Sequence, residues 1–435
     1  VAVWADGALH EAAAGWANRE AAIKATPEAV FHFGSITKTL TATMVARLVD
    51  QGRMELDAPI ARYVPEFTPA DPAIAATLTV RHCLTHTAGL IGLVFADTGR
   101  EDDTVARQVL ALNAHPQYHP PGALNSYCNS GMLMLGRAIE TALGKPWHAA
   151  LIDDLAVPLG MDGVVAQPEQ ALRKRYAVGH GFDHLTGSWR PDPQPFAMPG
   201  HAPAGSTPAG RARDLIAFAR MHLEQGRSTN GPYLSAAMVE TMQRRMVKCP
   251  VSLHLDGWGL GWILYDWGGT RVIGHDGSTA TTNAFLRIDP ARGVAAALLV
   301  NCRSGLPVYE DVFSEIFGVT CGAWETGAPA TVPATDLEAY AGEYGDGLMR
   351  LVVEPGPGVL RLTISPMTAS PVTRSLAQTI ELHPCGPGQF FADGADAMLG
   401  VRNAPAATRL ARPYAFLEAA GSWWLHTGQS AFRRL

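Results

Sequence analysis

Ser35 and Lys38 lie three positions apart in FHFGSITKTLTATMVARLV, and a serine with a lysine at that spacing is a nucleophile with a base at hand. On a helix, residues three apart share a face, so the amine reaches the hydroxyl. After Lys38 the next charge is Arg47, while Leu40, Met44 and Leu48 repeat at helical spacing, so a core helix is expected to run to about residue 51. A lysine in the first turn of such a helix is penalised by burial and by the positive end of the helix dipole. Both lower its pKa from about 10.4 toward the range of a general base. The same helix start offers backbone N–H groups to a developing oxyanion. The competing reading of a bare S-x-x-K is a Ser35 that stands as N-cap or first helical residue and a Lys38 that snorkels to water.

Two further stretches carry chemistry. Asn125-Ser126-Tyr127-Cys128-Asn129 follows the Pro120-Pro121-Gly122 turn and precedes a helix expected over 131–143. Tyr127 and Asn129 alternate by two, so in extended chain they point the same way. A phenol relays a proton; an amide holds a substrate carbonyl or positions the lysine. Alone, a Y-x-N is an ordinary capping loop, and Cys128 within it reads as a small buried filler. Gly274-His275-Asp276-Gly277-Ser278 ends an expected strand, where glycine permits close backbone approach and histidine offers a proton or a hydrogen bond.

The elements that must position these residues follow from the pattern of the chain. Residues 1–18 read as a hairpin, 50–225 as mainly helical with Pro- and Gly-rich breaks, and 258–267, 271–275, 284–289 and 293–301 as strands. A helix over 308–317 follows. Strands at both ends with helices between them imply an α+β fold, one antiparallel sheet flanked by helices with a helical insert, over residues 1–324. Residues 325–335 (ETGAPATVPAT) have a linker's composition. From 336 to 435 short strands at 349–354, 359–364, 379–383 and 423–427 imply a small C-terminal β-barrel or sandwich.

Composition narrows the function classes. The 435 residues are 47% hydrophobic and 17% charged, with a net charge of −6, which argues against a nucleic-acid partner. No apolar run reaches membrane-spanning length, and no basic run suggests a lipid surface. Six cysteines at 83, 128, 249, 302, 321 and 385 form no C-x-x-C pair, so neither a zinc knuckle nor a disulfide framework is expected, and reduced thiols suit a cytoplasmic protein. The chain opens inside a strand, which leaves room for an upstream segment such as a removed signal peptide. Three H-x-x-x-H pairs, His82/His86, His115/His119 and His180/His184, have the spacing of a zinc site, but Pro116, Pro120 and Gly181 disfavour a helix in two of them and no H-E-x-x-H occurs. Trp258, Trp262 and Trp267 fall on an expected strand and read as core rather than substrate wall. Arg100 to Asp103 (REDD) reads as a solvated loop, with a place on the cleft rim as the other option. There is no G-x-S-x-G elbow and no Walker or dinucleotide glycine pattern.

Taken together, S-x-x-K, Y-x-N and H-x-G in this order resemble the serine β-lactamase and penicillin-binding protein superfamily, in particular its class C β-lactamase-like hydrolases, which include esterases and D-aminopeptidases. TVRHCLTHTAGL, PLGMDGV, APAGSTPAGRARDL and IGHDGSTATTNAFLRIDP extend the similarity over roughly residues 1 to 320, and YAGEY at 340–344 looks like the entry to the lipocalin-like barrel of some branches. The resemblance implies Ser35 as acylated nucleophile, Lys38 as its base, and Tyr127 as proton carrier to the leaving group with Asn129 beside it. It places His275 where β-lactamases and transpeptidases carry the Lys of K-T-G. It implies an oxyanion hole from the N–H groups of Ser35 and Ser278, with Gly277 and Gly205 lining the substrate. No cofactor or metal is implied. A histidine in place of that lysine weakens the grip on a substrate carboxylate and argues against a dedicated β-lactamase. The implied substrates are esters, amides or peptides, often with a D-residue on the acyl side. The alternatives are a penicillin-binding-protein-type thioesterase that cyclises a nonribosomal peptide from a carrier thioester, and a non-catalytic β-lactam sensor or assembly protein of the same fold.

Overall fold

Asp6 and Gly7 have positive φ (52° and 74°), as a two-residue hairpin turn requires, and join β1 (Ala2–Ala5) to β2 (Ala8–Glu11). The computed structural model describes residues 1–94, 96–183, 187–192, 196, 198–250, 255–302, 305–319, 336–367, 378–392 and 412–435. The central region carries α1 (Thr37–Asp50), α2 (Asn129–Leu143) and α3 (Ala212–Leu223). Six strands follow: β3 (Val247–Lys248), β4 (Leu255–Trp258), β5 (Ile263–Trp267), β6 (Thr270–Ser278), β7 (Asn283–Asp289) and β8 (Val294–Val300). α4 (Leu306–Phe317) comes next.

β1 pairs antiparallel with β8 in the register Ala2↔Ala297, so strands from both ends of this region share one eight-stranded sheet, ordered β3-β4-β5-β6-β7-β8-β1-β2. The expected sheet and helical insert are therefore present. Both faces of its centre are covered. Leu286, Ile288, Ala295 and Ala297 join the core that contains Leu40 and Met44 of α1, while Phe285, Ala296 and Leu298 pack with Tyr309, Phe313 and Phe317 of α4. Burial on both faces is why GVAAALLV reads as an unbroken apolar run instead of an alternating one.

The C-terminal strands close into an eight-stranded barrel. They are β9 (Gly342–Gly345), β10 (Met349–Pro355), β11 (Leu360–Pro366), β12 (Gln378–Gly386), β13 (Gln389–Ala392), β14 (Arg412–Ala419), β15 (Ser422–His426) and β16 (Ala431–Arg434). β9 meets β16 through Tyr344↔Arg434, and the interior is filled by Leu351, Leu362, Leu382, Phe390 and Leu425. The linker expected at 325–335 lies outside the described residues.

Candidate active site

α1 begins later than its sequence pattern suggests. Gly34–Ile36 form a 3₁₀ turn and the α-helix starts at Thr37. Ser35 therefore does not cap: neither helix start has a side-chain cap bond, and Ser35 Oγ accepts a hydrogen bond from Lys38 Nζ at 2.8 Å. The eclipsed i,i+3 geometry at a 3₁₀-to-α junction brings the two side chains together. Lys38 does not snorkel. It is 1% exposed and its second donor goes to the Ala204 carbonyl at 2.7 Å. Burial lowers its pKa to about 7.

Glycines let three backbone segments converge on Ser35. A Cβ on Gly277 would stand 1.9 Å from the Phe33 carbonyl oxygen and 3.1 Å from the Ser35 nitrogen. One on Gly205 would stand 2.1 Å from the Gly34 oxygen and 3.0 Å from the Ser35 nitrogen. The 3₁₀ turn is thus held against the end of β6, with the Ser278 side chain tied to Asn283 Nδ2 at 2.8 Å. No larger residue fits at either glycine without displacing the backbone that carries Ser35.

The Tyr127 phenol is close enough to Ser35 to influence it, and its ring lies under the amine, with Lys38 Nζ 4.9 Å from the centroid. Burial is the larger influence on the phenol and raises its pKa, so it holds its proton at neutral pH. Its loop is fixed by His86, a residue with φ of 55° whose Nδ1 accepts the Cys128 N–H at 3.1 Å and whose ring lies 4.5 Å from that of Tyr127. Cys128 is more than filler. Its sulfur accepts the Gly131 N–H at 3.4 Å and so caps α2, which begins at Asn129, two residues before the expected start.

His275 stands beside Tyr127, with ring centroids 6.1 Å apart. Its Nδ1 lies 2.6 Å from the Asp276 carbonyl oxygen, and since a carbonyl only accepts, the ring proton sits on Nδ1. Nε2 keeps its lone pair, buried and without a hydrogen-bond partner among the described residues. Desolvation, assisted by the nearby Lys38 charge, lowers the pKa of His275 to about 3, so the ring is neutral. Next to it, Arg287, 2% exposed and 4.1 Å from the Tyr265 ring centroid, pairs with Asp276 at 2.7 Å.

Ser35, Lys38, Tyr127, His275, Gly205, Gly277 and Ser278 are thus brought together. Asn129 opens α2, and its backbone N–H donates to the Gly92 carbonyl at 2.8 Å, while the second Lys38 donor goes to the Ala204 carbonyl. That carbonyl and His86 join the site without a sequence signal of their own, apart from lying in APAGS and HTAG. Trp258 is buried as a core residue and also walls the site, 5.8 Å from the rings of both Tyr127 and His275. Trp262 packs on Phe218 and His222, and Trp267 on Phe317, as core.

Unlike His86, the H-x-x-x-H histidines His82, His119 and His180 go elsewhere. His82 makes a capping box with Thr79, His119 Nδ1 bonds the Pro120 carbonyl, and His180 accepts the Arg19 N–H, while His184 lies outside the described residues. Among the described residues no three His, Cys, Asp or Glu side chains form a metal site, and no helix is long and apolar enough to cross a membrane. In the REDD loop Asp102 meets His148 and Asp103 meets Arg107, all on exposed or half-exposed surface.

Comparison with known proteins adds three findings. A family model described as Beta-lactamase matches residues 1–316. Penicillin-binding protein 4 of Amycolatopsis lactamdurans is 39% identical over 354 residues, covering 79% of this chain and 92% of that protein, and Esterase EstB of Burkholderia gladioli is 29% identical over 335 residues, covering 67% and 82%. The crystal structure of SurE, 29% identical, superposes with a TM-score of 0.80 over 100% of this chain and 94% of that one.

Proposed function

Because this chain belongs to the beta-lactamase family of serine acyl-enzyme hydrolases, we propose that it cleaves esters, amides or peptides through an ester on Ser35, with D-configured residues favoured on the acyl side. One observation carries this reading: a buried lysine with a pKa of about 7 hydrogen-bonded to a serine hydroxyl. The neutral amine takes the Ser35 proton as Oγ attacks the carbonyl carbon. The N–H groups of Ser35 and Ser278 receive the oxyanion. The Tyr127 phenol gives its proton to the leaving group as the tetrahedral species collapses, and is reprotonated from the Lys38 ammonium. Water then attacks the ester, losing its proton to the same pair, and Ser35 leaves with that proton.

A neutral His275 supplies no positive charge for a substrate carboxylate, which supports a hydrolase other than a dedicated β-lactamase. D-configuration gains support from the similar SurE, which has been crystallised with D-Leu. The buried His275 Nε2 lone pair can take a proton donor from whichever nucleophile attacks the ester, which leaves a second reading within the same chemistry. An attacking amine has an N–H to donate there as water has an O–H, and aminolysis in place of hydrolysis would make the chain a thioesterase that cyclises a carrier-bound nonribosomal peptide.

The test is mass spectrometry of the chain with p-nitrophenyl esters, D-amino-acid amides, a cephalosporin and a peptidyl thioester, recording products and adducts. An acyl adduct on Ser35 that Ser35→Ala abolishes, with turnover down more than about a thousandfold, is expected. Turnover retained by Ser35→Ala refutes the nucleophile. Cyclic product from the peptidyl thioester selects the second reading.

A further inference from the structure

Among the described residues the barrel reaches the residues that carry Tyr127. Three consecutive residues of that loop are bonded to the end of β15, the start of β16 and the turn between them. The Asn125 carbonyl faces His426 Nε2 at 3.0 Å, the Ser126 hydroxyl accepts the Ala431 N–H at 3.1 Å, and the Tyr127 N–H donates to the Gln429 carbonyl at 2.9 Å. The flanking amides turn the other way: Ser126 N–H goes to the His86 carbonyl at 2.8 Å and Cys128 N–H to the His86 ring at 3.1 Å. The loop is clamped between the two domains, and Tyr127's own amide is on the barrel side.

His426 is built to hold this contact. It is fully buried, and because a carbonyl only accepts, Nε2 carries the proton toward Asn125. Nδ1 then accepts the Gly428 N–H at 3.1 Å, which fixes the turn that presents the Gln429 carbonyl. Leu124 packs with Trp424 and Ala431 beneath it, and the His119 ring stands edge-on to Trp424 at 5.7 Å. Both polar ends of the imidazole are thus spent on geometry.

We infer that the turn between β15 and β16, held by His426, is a positioning device for Tyr127, so that the barrel sets the rate of proton transfer in the catalytic domain. This rests on the reading of Tyr127 as proton carrier. The phenol stands at the end of a long arm, and a displacement of about 1 Å at its oxygen is enough to cost about a hundredfold in rate. A tilt of one peptide, released from its Gln429 bond, moves it that far.

The experiment uses the full chain, a fluorophosphonate label read at Ser35, and p-nitrophenyl butyrate. His426→Phe keeps a ring but removes both hydrogen bonds; His426→Gln restores a donor and an acceptor. Labelling of His426→Phe is expected to slow at least tenfold, with kcat falling in step and KM within about twofold, and His426→Gln is expected to recover most of the loss. In a Tyr127→Phe background the His426→Phe change should cost less than twofold, because its effect passes through the phenol. Labelling at the wild-type rate, or the same loss in the Tyr127→Phe background, overturns the inference. If His426→Phe does not fold, Ser126→Ala carries the test: a loss of about threefold that vanishes in the Tyr127→Phe background supports it, and an unchanged rate overturns it. A wild-type chain that takes no label on Ser35 sinks the acyl-enzyme reading together with this inference, whereas a labelled wild type and an indifferent His426→Phe sink this inference alone.

Discussion

The Lys38 amine lies 2.8 Å from the Ser35 hydroxyl with only 1% of the lysine exposed, so in the proposed mechanism the charge state of one side chain decides whether the other attacks. Activity should rise with pH as the ammonium loses its proton, with a midpoint in kcat/KM near the lysine's pKa of about 7. His275, with a pKa lowered to about 3, adds no limb above pH 5. A Lys38→Ala variant should lose at least about a hundredfold in kcat, about 2.7 kcal/mol. A loss below threefold, or a profile flat from pH 5 to 9, removes the lysine from the base role.

The same burial has a cost in stability. Lys38 ionises at about 7 when folded and at its ordinary 10.5 when unfolded, so the unfolded chain binds more protons between those values. Stability therefore falls as pH drops from above 10.5 toward 7 and is level below, at about 1.4 kcal/mol for each tenfold shift in proton affinity. Lys38→Met should be more stable than the wild type at pH 7 by a few kcal/mol, and the gap should close as pH approaches 10.5. Chemical denaturation at pH 7 and at pH 10 checks this, and equal gaps at both contradict it.

Substituting His275→Lys should exchange substrate preference. A lysine there restores a cation for a carboxylate and removes a neutral acceptor. The ratio of cephalosporin acylation to p-nitrophenyl ester acylation is expected to increase at least tenfold. An unchanged ratio means that the side chain at 275 does not face the leaving group.

Asp276 and Arg287 should respond unequally. The Arg287 side chain is 2% exposed and that of Asp276 46%, so Asp276→Asn strands a buried cation while Arg287→Met leaves a carboxylate that is half-exposed, with one oxygen buried. Asp276→Asn is expected to cost about 3 kcal/mol and Arg287→Met clearly less. Thermal unfolding of the two variants measures the difference, and the reverse order contradicts the burial argument.

What the chain discloses by itself follows the range of the forces involved. S-x-x-K is legible because its partners are three residues apart, and the sheet built from both ends is legible because β7 and β8 are apolar on both faces. The 3₁₀ turn at Gly34–Ile36 is not: Ser35 looks like a cap until Gly277 and Gly205 are seen pressing against it from distant segments. Nor does a motif announce a backbone atom. The Ala204 carbonyl anchors Lys38, and the Gln429 carbonyl holds Tyr127, yet a carbonyl has no residue type to recognise. Cys128 as a helix cap and Trp258 as both core and wall escape for a related reason, since burial and function use the same side chain.

The pairing of Ala2 with Ala297 also has a consequence for how the protein is made. During synthesis the hairpin of β1 and β2 waits with an open edge until β8 leaves the ribosome, and a contact at such sequence separation forms late and slowly. The serine, at position 35, is translated early but acquires its surroundings only when β6, some 240 residues later, has arrived against the Phe33 backbone. Nascent chains released before β8 would carry Ser35 without its completed surroundings and an unpaired strand prone to self-association.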